Sequence, residues 1–258
     1  MLSFLINAES DAFGRDETRL SKVVFINPGF ADHGFWHDVT NTMSAAADQL
    51  GFELEVHYGD RQWLKMVRNA EAVINSPDKP DFLILVNEYQ EGARLLAMAD
   101  KASISTLMLL NSLTPEQRST YAAAGEPLKH WIASLTPNNE IAGYDMAYSL
   151  VTHSHPILGR DLPSIALLTL AGDNTTPASK MRLEGLDRAL RDFPQLKEQR
   201  RISVNWSRDS AYQRTHLWLK SKQPLEAIWA ANDAIALGAI KAIREAGLKP
   251  GIDRKSVV

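Results

Sequence analysis

The stretch from Pro224 to Gly251, PLEAIWAANDAIALGAIKAIREAGLKPG, narrows the folds open to this chain more than any other. Ala227–Ala230 reads as a buried strand, Asn232-Asp233 as a polar break, and the residues to Ala246 as a helix closed by Gly247 with Pro250 beyond it. Ile235, Leu237, Ala239, Ile240, Ala242, Ile243 and Ala246 wrap most of that helix, leaving Lys241, Arg244 and Glu245 outward, as in a helix laid on a sheet. Asp233 is the expected N-cap. A strand that feeds a helix through two polar residues sets their side chains at the carboxyl edge of a parallel sheet, where open α/β folds bind ligands.

The same unit recurs along the chain. Lys22–Asn27 is an apolar, β-branched run that ends in the turn Asn27-Pro28-Gly29, followed by a loop with Phe30, Asp32, His33, Phe35 and Trp36. Val39, Met43, Ala46, Ala47 and Leu50 then recur at helical spacing up to Gly51. Phe52–Tyr58 alternates as a strand, and Asp60 is read as the cap of a helix through Trp63, Met66, Val67, Ala70 and Val73. Phe82–Val86 is a second buried strand and stops at Asn87-Glu88; Ser105–Leu110 is a third and ends at Asn111. Strands alternating with helices imply right-handed crossovers and a doubly wound parallel sheet.

The pattern breaks between Asn111 and about Leu128, so residues 114–128 are expected to join an N-terminal α/β lobe over 22–113 to a C-terminal lobe over 129–258. In that second lobe the expected elements are strand Lys129–Leu135, helix Asn138–His153, strand Ser164–Leu170, helix Pro177–Arg191, strand Arg201–Val204 and helix Asp209–Lys222. Arg254–Val258 looks like the opening of an uncompleted strand, and an apolar edge left uncovered is unfavourable, so the chain is expected to lack the C-terminal part of its fold. Residues 1–21 read as leader or linker; the run MLSFLINAES fits either the tail of a signal peptide or a frayed segment.

Composition removes several functions. A net charge of −3 with scattered Lys and Arg argues against nucleic-acid binding. The absence of cysteine excludes disulfides, thiolate catalysis and cysteine metal sites, and suits a periplasmic location. The turn NPGFADHG is no G-x-G-x-x-G, no G-x-S-x-G elbow occurs, and no nucleophile–base set stands out, so an enzyme is not expected. His153 and His155 lie two apart beside Pro156 without nearby acidic or histidine partners, so neither a metal nor any other cofactor is expected.

Taken in order, the AND-x-x-ALGA-x-x-A run at 231–242, the pair Phe35-Trp36 opening the first helix, and Arg182-x-x-Gly185 after the turn at Gly172 resemble the type I periplasmic binding proteins. These are sugar-binding components of ABC importers that share their fold with LacI-type effector domains. The resemblance implies two doubly wound parallel-sheet lobes clasping a small molecule, most plainly a sugar, with the membrane subunits of an ABC importer as partners and a monomeric chain. The alternative is the sensor domain of a signalling receptor, of sugar or autoinducer-2 type, with an output module as partner. Carried over by position, the implied ligand contacts are Asn27, Phe35, Trp36, Asn87, Glu88, Arg182, Trp206 and Asn232. The loop Pro28–Gly34 is longer than in compact ribose-binding members, which shifts Phe35 and Trp36 by a residue or two.

Such residues suit a sugar. Aromatic rings cover its C–H faces, while Arg182, Asn87 and Asn232 offer fixed donor and acceptor geometry to its hydroxyls. Glu88 accepts from hydroxyls and is expected to pair with Arg182 when no ligand is present. Trp36 has a second reading as an aromatic staple of its helix, and Arg182 a second reading as a solvated helix residue; position at the strand edge favours the site reading of both. Asp233 is read as the cap and Asn232 as the ligand contact.

Overall fold

The computed structural model describes residues 20–123, 128–158, 164–250 and 256–257, and of residues 122–123, 153–158 and 256–257 the backbone alone. The leader expected over 1–21 falls almost wholly outside the described residues, as do the side chains of His153 and His155.

The first lobe is a five-stranded parallel sheet in the order β2-β1-β3-β4-β5. It is built from β1 (Ser21–Asn27), β2 (Phe52–Tyr58), β3 (Phe82–Leu85), β4 (Ser105–Leu109) and β5 (Trp131–Leu135). Helices α1 (Phe35–Leu50), α2 (Trp63–Asn75), α3 (Gly92–Lys101) and α4 (Pro115–Ala123) make the crossovers. Alternation along β1 sorts its residues between two faces. Val24 and Ile26 join Leu83, Leu85, Leu95, Leu96 and Met66 in a core under α2 and α3, while Phe25 packs with Trp36, Val86 and Leu109 under α1.

β5 corrects the expected boundary. It pairs in parallel with β4, Leu109 opposite Leu135, so it completes the first sheet instead of opening the second. The chain therefore changes lobe after Leu135, at Thr136-Pro137, and not over 114–128. A crossover to an adjacent parallel strand takes a dozen or more residues, and the irregular stretch read as an inter-lobe connection is that crossover.

The second lobe is a four-stranded parallel sheet, β7-β6-β8-β9. Its strands are β6 (Ile165–Ala171), β7 (Leu196–Ser203), β8 (Ala227–Ala230) and β9 (Ser256–Val257), with helices α5 (Asn139–Leu158), α6 (Pro177–Asp192), α7 (Arg208–Lys220) and α8 (Asp233–Glu245). All seven residues of β6 are buried, as befits a strand covered on both faces. β7 begins at Leu196, well before the expected Arg201, because it is the sheet's edge, where Lys197, Glu198 and Arg200 reach solvent and hide the strand pattern. β9 pairs with β8, so the expected terminal strand forms over Ser256–Val257.

In each sheet the strand order reverses once, between β1 and β3 and between β6 and β8. Ligands of doubly wound sheets bind outside the carboxyl ends of the strands at that reversal. The lobes meet there: the Ala178 amide at the start of α6 donates to Asn111 Oδ1 at the end of β4, at 3.0 Å.

Candidate functional site

Backbone strain marks this edge. Asp60 and Arg61 after β2, Tyr89 and Gln90 after β3, Leu110 at the end of β4, and Asn205 and Trp206 after β7 all have left-handed backbone without being glycine. Such residues collect where the surrounding structure holds a working geometry in place.

From the second lobe, Asp173 organises the edge. Its Oδ1 accepts from the Thr175 amide and hydroxyl and from the Thr176 amide; its Oδ2 accepts from the Thr176 hydroxyl and from Trp206 Nε1. Burial alone would raise this carboxyl, but the bonds from Thr175 and Thr176 hold it down at about 2. The Trp206 indole is thereby fixed over Gly172, where a methyl group would sit 2.3 Å from Cζ2, so only glycine admits the ring this close. Arg182 lies with its guanidinium 5.6 Å from the Trp206 ring centroid. Its Nε donates to Asn139 Oδ1 at 3.0 Å and its Nη1 to the Ala231 carbonyl. Burial lowers the pKa of this guanidinium and Asp233 opposes that effect. Arg182 sits in the second turn of α6.

From the first lobe comes Glu88, its side chain only 4% exposed. Its Oε1 has a long 3.5 Å contact from Asn111 Nδ2, its Oε2 finds no hydrogen-bond donor, and Arg61 Nη1 stops at 3.7 Å from Oε2. The ion pair is thus with Arg61, not with the expected Arg182. Burial pushes this carboxyl up to about 7; Arg61 pulls it down, and Asp173, from the other lobe, pushes it further up. Tyr89 OH donates to the Arg61 carbonyl at 3.1 Å and holds that loop.

Of the other expected contacts, Asn27, Asn87 and Trp36 are spent inside the first lobe. Asn27 is fully buried: its Nδ2 donates to the Trp36 carbonyl and to Thr40 Oγ1, and its Oδ1 accepts from the Gly29 amide. Asn87 is likewise consumed by Ser112 O, Gln117 Oε1 and the Gly92 amide. Trp36 is buried against Phe25 of β1, with ring centroids 6.3 Å apart, which makes it a core residue between α1 and the sheet, neither a helix staple nor an open stacking platform. Phe35 is 59% exposed. It borders a shallow apolar groove of about 430 Å³ with Val39, Met43 and Leu109, on the α1 side of the sheet. Asn232, not Asp233, is the N-cap of α8, accepting from the Ile235 amide at 2.9 Å; Asp233 is the exposed first residue of the helix. Asp60 caps nothing, since α2 starts after Gln62 and Asp60 pairs with Lys65.

Arg61, Asn111, Asn139 and Asp173 were not anticipated. Asp173 had a local signal: Asp-Asn-Thr-Thr-Pro, residues 173–177, is a capping turn before a helix that opens on proline. Asn111 stood at a strand end as Asn27 and Asn87 do; Arg61 and Asn139 had no signal, since an arginine or asparagine in a loop looks alike whether it faces a cleft or solvent.

A model of the periplasmic binding protein domain matches residues 23–257. The chain belongs to that family. It is a periplasmic binding protein of two lobes, one of a family of solute receptors and not of enzymes, as the sequence reading expected. The crystal structure of a periplasmic sugar-binding protein from Pseudomonas fluorescens is 35% identical, superposes with a TM-score of 0.80, and is aligned over 91% of this chain and 67% of that one. The ribose import binding protein RbsB of Haemophilus influenzae is 28% identical over 222 residues, 84% of this chain and 67% of that protein. A xylitol-binding protein of Mycolicibacterium smegmatis is 36% identical over 67 residues, so this chain spans 26% of itself and 19% of that relative in the match. A galactofuranose-binding protein at 21% identity and a TM-score of 0.76 shares the fold.

Proposed function

We propose that this periplasmic binding protein captures a small neutral sugar or sugar-like polyol between its lobes, in the periplasm, and presents it to an ABC importer. The observation that carries the reading is the Arg182–Trp206 pair on the second lobe, pinned by Asn139 and Asp173 at the strand edge that faces Glu88. An indole held rigid at low entropic cost covers a sugar's C–H face, and a guanidinium beside it addresses vicinal oxygens. Asn232 has its Oδ1 committed to the helix, which leaves its Nδ2 as the donor available to a hydroxyl. The sugar-binding and ribose-binding names of the relatives support the same class of ligand. Contacts to both lobes give the ligand its preference for the closed state.

The test is a thermal-shift screen against ribose, other pentoses and hexoses, xylitol, inositols, amino acids and nucleosides. A binder at a hundredfold excess over its Kd stabilises by about 2.7 kcal/mol. Arg182→Ala and Trp206→Ala are expected to abolish that shift while leaving the unliganded melting curve cooperative. A shift produced only by an amino acid or nucleoside would reject the sugar reading, and unfolding of both variants would make the pair structural.

A further inference from the structure

The first free amide of α6 has its partner in the other lobe. The helix opens on Thr176 as N-cap, then Pro177, which has no N–H, then Ala178. The Thr176 hydroxyl, the usual acceptor for such an amide, instead donates to Asp173 Oδ2 at 2.7 Å and caps nothing. The Ser179 and Lys180 amides turn back to the Thr176 carbonyl at 3.2 Å, while the Ala178 amide donates at 3.0 Å to Asn111 Oδ1 at the end of β4. An asparagine oxygen on that amide does the work of an N-cap from a distant part of the chain, and it meets the positive end of the helix dipole. Asn111 is mounted to hold this position and is only 5% exposed. Its amide donates to the Leu109 carbonyl at 2.7 Å, its carbonyl accepts from the Asn87 amide at 3.0 Å, and the left-handed Leu110 before it donates to the Leu135 carbonyl at 2.7 Å. The backbone is thus fixed within the first lobe, while the side-chain oxygen reaches into the second.

We propose that Asn111 is an interlobe clasp: its side chain caps α6 of the opposite lobe when the cleft closes on a ligand and lets go when the lobes part, so it prolongs the stay of the bound molecule without touching it. The inference rests on the binding reading in that capture of a small molecule is what brings the lobes together. With the lobes apart, the Ala178 amide and the Asn111 oxygen both pass to water, so the bond favours closure by about as much as one N-cap favours a helix, a factor of about fivefold. A ligand enters while the lobes are apart and before the clasp forms, so the factor falls on escape and not on entry. It acts alike on every ligand that closes the cleft, because it lies between protein atoms alone. The clasp also seats the helix that carries Arg182.

The chain has no cysteine, so Gln49→Cys and Gln213→Cys, exposed positions in the two lobes, accept a fluorophore pair for stopped-flow measurement of kon and koff. The probes are D-ribose and each compound of the thermal-shift panel that stabilises the protein. Asn111→Ala is expected to raise koff about fivefold for each of them with kon unchanged. Asn111→Asp keeps the oxygen aimed at Ala178 and gives up only the long 3.5 Å contact from Nδ2 to Glu88, so its koff is expected between the wild type and Asn111→Ala. An unchanged koff, a change confined to one of several ligands, or a koff for Asn111→Asp at or above that of Asn111→Ala would overturn the clasp. Amide exchange read residue by residue by NMR follows the same bond. A saturating binder is expected to slow exchange at Ala178 in the wild type, and without any binder that amide is expected to exchange more slowly in the wild type than in Asn111→Ala; failure of either overturns the proposal. Should Asn111→Ala fail to fold by circular dichroism, Asn111→Asp and the wild-type exchange decide. A nucleoside or amino acid as the sole binder rejects the sugar reading and still tests the clasp, while loss of the clasp leaves the sugar reading standing.

Discussion

Gly143→Ala tests the helix crossing that places Arg182. Helices α5 and α6 approach backbone to backbone: a methyl group at Gly143 would lie 2.0 Å from the Arg182 carbonyl oxygen, and one at Gly185 would lie 2.0 Å from the Glu140 carbonyl oxygen. Main chain cannot rotate away as a side chain can, so the helices have to separate. That separation strains two further bonds, from Trp229 Nε1 to the Gly143 carbonyl at 3.1 Å and from Arg182 Nε to Asn139 Oδ1 at 3.0 Å. Overpacking costs about 1–3 kcal/mol, and rigid walls on both sides put this site at the upper end. Replacing a helical glycine by alanine returns about 1 kcal/mol, leaving a net loss of about 2 kcal/mol. At about 2–4 °C per kcal/mol for a chain of this size, Tm falls by about 4–8 °C. Thermal and urea unfolding measure the loss, and the ligand-induced shift shrinks as well because Arg182 rides on the displaced backbone. A Gly143→Ala protein at least as stable as the wild type, with an unchanged ligand shift, would refute the argument.

Two other substitutions separate structural from binding roles. Trp36→Ala removes a buried indole from the small core with Phe25, Val86 and Leu109. It is expected to cost about 3–5 kcal/mol in urea unfolding while the folded fraction still responds to ligand; loss of the response at unchanged stability would restore Trp36 as a sugar platform. Asp173 has its carboxyl held below the ordinary 3.8, at about 2. Its contribution is therefore complete above 3.8 and is lost as pH falls toward about 2. Asp173→Asn is expected to flatten the acid limb of Tm against pH in that window and to weaken ligand binding by freeing Trp206; an acid limb identical to the wild type would show that these bonds add nothing.

The elements of this fold were legible in the residues because they rest on local rules. Lys22–Asn27 and Ala227–Ala230 can bury both faces only as central parallel strands, and the apolar stripe after Asn232 has helical period. β7 was half hidden because an edge strand answers to one neighbour and tolerates Lys197, Glu198 and Arg200. The assignment of β5 to the first sheet was hidden as well, because a crossover and a linker have the same composition. Of the site, Arg182 and Trp206 stand together at the strand edge. Asn27 and Asn87 sit at the same edge but look inward, each saturated by partners close in the fold.

The alternation of apolar strands and amphipathic helices, written in the chain, settles that this protein is a pair of parallel α/β sheets with polar residues at their carboxyl ends. Which of those polar groups remain open to a guest was decided only in three dimensions. A side-chain amide or carboxyl is spoken for when donors and acceptors from distant segments reach it: Thr40 for Asn27, Gln117 for Asn87, Trp206 for Asp173. Glu88, whose Oε2 no such donor reaches, is distinguished from them by its surroundings alone.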